Sequence, residues 1–149
     1  MKLVIQRVNH ASCRVDGQIT GQIDKGFLIF IGVADSDTEE IADKMVKKAM
    51  GLRIFDDEND KINLSLADVG GGVLLISQFT LYANCKKGYR PSFTDAGKPE
   101  FAEKMYEYVI AKAKEYCPVV ETGIFGADMK IELLNDGPFT IILDSDNII

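Results

Sequence analysis

Apolar residues in the first third of the chain fall in short alternating or continuous runs, which is strand spacing. Val4 to Val8 and Ser12 to Val15 alternate or run apolar, with a polar link, Asn9-His10-Ala11, between them. Asp16-Gly17 supplies a turn signal and Gln18 to Ile23 alternates again, so this part reads as a hairpin. Phe27-Leu28-Ile29-Phe30-Ile31-Gly32-Val33 is a continuous apolar run, the pattern of a strand buried on both faces. The period then lengthens. Ile41, Met45, Ala49 and Leu52 repeat at helical spacing behind a Ser36-Asp37-Thr38-Glu39 capping box, which predicts a helix over roughly Asp37 to Met50.

Val73 to Ile76 returns to the buried-strand pattern. A second helix starts at Pro99, carries Phe101, Met105, Tyr108, Val109 and Tyr116 on one stripe, and stops at Cys117-Pro118. The tail reads as three strands, Val119 to Thr122, Met129 to Leu134 and Phe139 to Leu143. Strands outnumber helices by about eight to two, and two helices cover only one face of so much sheet. The expected fold is therefore α/β in one domain spanning residues 1–149, with β/β/α layers, a strand-rich barrel-like core and two main helices.

Composition fits this picture. The chain has 149 residues, 46% hydrophobic and 27% charged, enough for one sizeable core. No apolar run reaches the roughly 18 residues of a membrane span, and the start of the chain does not read as a signal peptide. Cys13, Cys85 and Cys117 are odd in number and widely spaced, so free thiols in a reducing cytoplasm are expected. With no CxxC and one histidine, a Cys/His zinc site is not expected. The net charge of −6 argues against a general nucleic-acid binder. Lys86-Lys87-Gly88-Tyr89-Arg90-Pro91 is the exception, readable as a solvated loop or as a local basic patch.

Two segments break the apolar pattern. Ser77-Gln78-Phe79-Thr80 puts two hydroxyls and an amide at the end of a buried strand, where each unpartnered polar group costs about 1–3 kcal/mol. It is either a polar core network or a site at a strand end. Asn135-Asp136-Gly137-Pro138 is dense turn chemistry between two tail strands, and Gly137-Pro138 is a place where a cis peptide can occur. His10 is the one imidazole available to a serine-type triad, and its polar link does not favour that role. There is no Walker loop or GxGxxG, and Gly70-Gly71-Gly72 precedes a strand rather than a phosphate-binding helix.

Together these segments carry a resemblance. Ser77 to Tyr82, Lys87 to Phe93, Thr122 to Met129 and Asn135 to Pro138 resemble the D-aminoacyl-tRNA deacylase family. Ile5 to Val8, Leu52 to Asp56 and Asn63 to Ser65 fit as well, in order along essentially the whole chain. One departure is Phe139, where the family often carries valine. The resemblance implies a homodimer that hydrolyses the ester between a D-amino acid, or glycine mischarged on alanine tRNA, and the terminal ribose of tRNA, with no cofactor and no metal. It assigns the catalytic segment to Ser77, Gln78, Phe79 and Thr80. Gly137 and Pro138 would reach from one subunit into the other's site and exclude L side chains. An activated ester needs positioned water and main-chain oxyanion donors more than a triad, and the ribose 2′-hydroxyl can assist. In that light Phe125 and Met129 are candidates for the terminal adenine, and Lys86, Lys87 and Arg90 for phosphates. A non-enzymatic binding module and a carboxylate-based metal hydrolase stay open as alternatives.

Overall fold

The computed structural model describes residues 1–148. In chain order its elements are β1 (Lys2–Val15), β2 (Gln18–Ile23), β3 (Gly26–Gly32), α1 (Glu39–Met50), β4 (Phe55–Asp56), β5 (Ile62–Leu64), β6 (Gly72–Ser77), a 3-10 turn (Phe79–Tyr82), α2 (Pro99–Ala113), β7 (Val120–Thr122), β8 (Lys130–Asp144) and a short α3 (Ser145–Ile148). β4 and β5 pair with each other, and the other six strands form one sheet.

β1 is the spine of that sheet. One of its edges pairs with β8 almost throughout, from Lys2 opposite Asp144 to Arg14 opposite Lys130. Its other edge is shared, with β3 along Lys2 to Val8 and β2 along Ala11 to Val15. β6 lies parallel to β3, and β7 parallel to β6. The sheet curls until β7 meets β2. There the Thr20 hydroxyl donates to the Thr122 carbonyl at 3.3 Å. A Cβ at Gly21 would lie 2.6 Å from that same oxygen, so glycine permits the approach.

The curl explains the runs buried on both faces. Phe27, Ile29 and Ile31 of β3, with Val73 and Leu75 of β6, pack under α1 and α2. Leu28 of β3 and Leu74 and Ile76 of β6 point the other way, into a second core with Val8, Ala11, Cys13 and Ile23. The expected β/β/α layering and barrel-like core are what the chain forms. The β1–β2 hairpin also turns where the sequence places it, with Asp16 and Gly17 both at positive φ, 49° and 78°.

Four sequence readings need correction. Asn9-His10-Ala11 is not a link between strands, because β1 runs through it, with both Asn9 and His10 exposed. The tail strands at 129–134 and 139–143 are one strand, β8. Asn135 to Pro138 belongs to an irregularity within it: between Gln6↔Thr140 and Val8↔Asn135, β1 advances two residues and β8 five. α1 begins later than the capping box suggests, because Thr38 rather than Ser36 is its N-cap and accepts the Ile41 amide at 3.2 Å. α2 ends at Ala113, short of Cys117-Pro118, which leaves Tyr116 exposed.

Candidate active site

β3, β6 and β7 run in the same direction, and a cleft opens where they end. In α/β sheets, ligands bind at the carboxyl ends of parallel strands. Val33 follows β3, Ser77 to Phe79 end β6, and Phe125 to Met129 follow β7; all line a cavity of about 680 Å3. Cavities for ligands of drug size span about 300–1,000 Å3. The far wall comes from the start of α2 and the segment before it, including Phe93, Thr94 and Lys98. Among the described residues the lining contains two charged side chains, Lys98 and Asp128, and no histidine or cysteine.

Strand β6 ends when the Gln78 amide donates to the Ile31 carbonyl at 2.8 Å and the chain turns into the 3-10 turn. The first amides of such a turn lack an acceptor inside it. Those of Phe79 and Thr80 have none among the described residues. Gln78 Nε2 donates to Thr80 Oγ1 at 2.6 Å. That contact loads the hydroxyl oxygen with a donor instead of giving its proton a base.

Gly123 shapes the opposite wall. A Cβ there would collide with Met129 Sδ and lie 3.1 Å from Ile76 Cδ1, so the missing side chain is what seats Met129 against the end of β6. Phe125 is backed by Tyr106 of α2, with ring centroids 6.1 Å apart. The Tyr106 hydroxyl donates to the Leu75 carbonyl at 2.7 Å, and burial pushes the phenol up to about 12.

Ser77, Gln78, Phe79, Phe125 and Met129 therefore share one cleft, with Thr80 hydrogen-bonded to its floor. Lys86, Lys87 and Arg90 do not line it. They sit on an exposed loop pinned by paired Asn84 and Ser92 hydrogen bonds of 2.7 and 2.9 Å, and the chain enters the cleft just beyond, at Phe93. His10 lies outside the lining.

Gly137 and Pro138 do not line this chain's cleft either. They are exposed on β8, joined by a cis peptide bond. Arg7 holds the segment. It is 6% exposed, donates through Nε to the Asp136 carbonyl at 2.9 Å and through Nη1 to the Ile54 carbonyl at 2.7 Å. Its guanidinium also lies 4.8 Å from the Phe139 ring centroid. The Asn135 side chain closes the loop by accepting the Phe139 amide at 2.6 Å. Sequence reasoning assigned no role to Arg7, Phe93 or Lys98. Arg7 falls on the same alternation as the buried Leu3 and Ile5, which is a legible signal, whereas nothing along the chain brings Phe93 beside Phe79.

Fold and cleft define an α/β protein with a curled sheet, holding a ligand-sized cleft at the polar end of its parallel strands. The chain belongs to the D-Tyr-tRNA(Tyr) deacylase family, whose model matches residues 4–144. It is 52% identical over 149 residues to the D-aminoacyl-tRNA deacylase of Thermosipho melanesiensis, covering 99% of each chain. It is 51% identical over 145 residues to that of Clostridioides difficile, covering 97% of each. Among solved structures, the c-Myc DNA unwinding element binding protein superposes with a TM-score of 0.91 at 38% identity, covering 97% of this chain and 98% of that one.

Proposed function

We infer that this chain is a hydrolase that cleaves the ester between a D-amino acid and the terminal ribose of tRNA, releasing both. Family membership supports the reaction class. The observation that carries the mechanism is at the floor of the cleft: a free amide at Phe79, which lines it, another at the adjoining Thr80, and no imidazole or thiol among the described lining residues. An ester is activated enough for such a site. Water adds to the carbonyl carbon, the oxyanion is held by main-chain N–H groups, and the ribose oxygen leaves with a proton relayed by the neighbouring 2′-hydroxyl. Ser77, Gln78 and Thr80 orient the ester, and Thr80 is a positioning group rather than a nucleophile. The terminal adenine sits against Phe125 and Met129.

Selection against L-amino acids comes from Gly137 and Pro138 of a second copy, whose main chain fills the space an L side chain would need. Two features favour a homodimer. β8 pairs only with β1, so its other edge is open among the described residues, and an open edge invites pairing. Leu134 and Ile142 on either side of the Gly-Pro segment are 50% and 70% exposed. A site that excludes rather than grips takes many D-amino acids and also glycine, including glycine mischarged on alanine tRNA. The reading takes residues 1–149 as one cytoplasmic domain that needs no cofactor or metal.

The test is turnover. Catalytic release of D-tyrosine from D-tyrosyl-tRNA by substoichiometric protein in EDTA supports the reading. Stoichiometric binding without release would make the chain a binding module, and loss of turnover in EDTA would favour a metal hydrolase. Lys86, Lys87 and Arg90 contact phosphates, so tRNA affinity falls with salt, by a slope of about −0.7 per phosphate on single strands. Replacing all three with alanine flattens that slope, and a salt response unchanged in the triple variant removes their role.

A further inference from the structure

Two aromatic rings at the cleft are left unused by the reaction. Phe79 and Phe93 both line the cavity, yet are 55% and 36% exposed. They meet edge to face, with centroids 5.1 Å apart and planes at 72°. Exposing large rings to water forfeits the burial that usually pays for them, and an edge-to-face pair fixes both rings while leaving ring surface open. Phe93 also sits just past the loop that carries Lys86, Lys87 and Arg90, and Lys98 lies on the same wall of the cleft. Apolar ring faces beside cations match single-stranded RNA, where bases stack on aromatic groups and backbone phosphates meet lysine and arginine.

We propose that the Phe79–Phe93 pair is a stacking platform for the base of the nucleotide immediately 5′ to the terminal adenosine. This rests on the cleft being the site for the aminoacyl-adenosine end. With the terminal nucleoside inside, its 5′-phosphate leads out through the mouth, and the next base is the first to meet the exposed rings. The platform reads no base edge, so it accepts any base and favours a strand that continues beyond the terminal nucleoside. Its contribution is binding shared by ground state and transition state, and it appears in KM rather than kcat.

The experiment compares D-tyrosyl-adenosine, D-tyrosyl-cytidylyl-adenosine and the same dinucleotide with its 5′ nucleotide abasic. Base stacking of this kind changes affinity by about 5- to 150-fold. The base-bearing dinucleotide is expected to have the lower KM by that factor against its abasic counterpart, at similar kcat. Phe93→Leu is expected to shrink the KM ratio between the two dinucleotides, whereas a merely structural role would raise both KM values in proportion and leave the ratio unchanged. Equal KM for base-bearing and abasic substrates on the unaltered protein overturns the platform while leaving the cleft assignment standing. Failure to cleave any of the three or D-tyrosyl-tRNA overturns both.

Discussion

Replacing Arg7 with methionine tests how the Gly137-Pro138 segment is held. Arg7 is buried and donates to two carbonyls, those of Ile54 and Asp136, so the substitution leaves both acceptors without their donor. Hydrogen bonds from a charged donor contribute about 1.5–3 kcal/mol each. Stacking on the Phe139 ring adds roughly 0.5–2 kcal/mol. The nearby carboxylates of Asp56 and Asp136, 3.6 and 3.5 Å away, are 51% and 40% exposed and contribute little. Methionine recovers part of the total through its own apolar contacts and through water reaching the carbonyls. The expected loss is about 3–5 kcal/mol. For a chain of this size that lowers the melting temperature by about 10 °C. Arg7→Lys falls between, since an ammonium cannot reproduce the planar fork. Thermal unfolding gives the stability, and hydrolysis of D- and L-tyrosyl-tRNA by the folded variant gives the selectivity. Both should suffer, because the freed segment no longer presents its main chain in one place. A melting temperature within ~2 °C of the parent, a cost under about 1 kcal/mol, with chiral selectivity intact would refute the anchoring role.

Thr80→Ala separates two chemistries: a positioning hydroxyl costs a modest factor in kcat, whereas loss by several orders of magnitude would make Thr80 the nucleophile. Tyr106 predicts an alkaline limb. Its phenol is raised by burial to about 12, against about 10 in an unfolded chain, so the native state keeps the proton longer. The associated stability is complete below pH ~10 and is lost as pH climbs toward about 12. Tyr106→Phe should cost about 1 kcal/mol at neutral pH through the lost bond to Leu75 and flatten that limb in urea titrations; an unchanged limb counts against the assignment.

Period and turn chemistry made much of the fold legible. The double-faced burial of Phe27 to Ile31 and Val73 to Ile76 follows from their unbroken apolar runs, and the sheet curls to cover both faces. The long strands were not legible as single elements. Asn9 and His10 are exposed at an irregularity, and Asp136 to Phe139 bulge around a buried arginine, so local polarity imitates a loop although the ladder continues on both sides. Thr38 displaced Ser36 as the cap because Asp37 is engaged elsewhere, accepting the Ala34 amide at 2.8 Å and the Met1 ammonium at 2.5 Å. At the site, Ser77 to Thr80 stood out because polar groups interrupt a buried strand. Phe93 could not be found that way. Its partner Phe79 is brought to it by the turn and by the pinned loop, and neither relation is periodic in sequence.

The proposed basis of chiral selection is exclusion by a main-chain segment supplied by a second copy. Its most direct test is the ratio of kcat/KM for D-tyrosyl-tRNA to that for L-tyrosyl-tRNA, with glycyl-tRNA as the substrate that lacks any side chain to reject. Rapid cleavage of the D-tyrosyl and glycyl esters, with the L-tyrosyl ester left intact, is the predicted result. Comparable cleavage of the L-tyrosyl ester would contradict it.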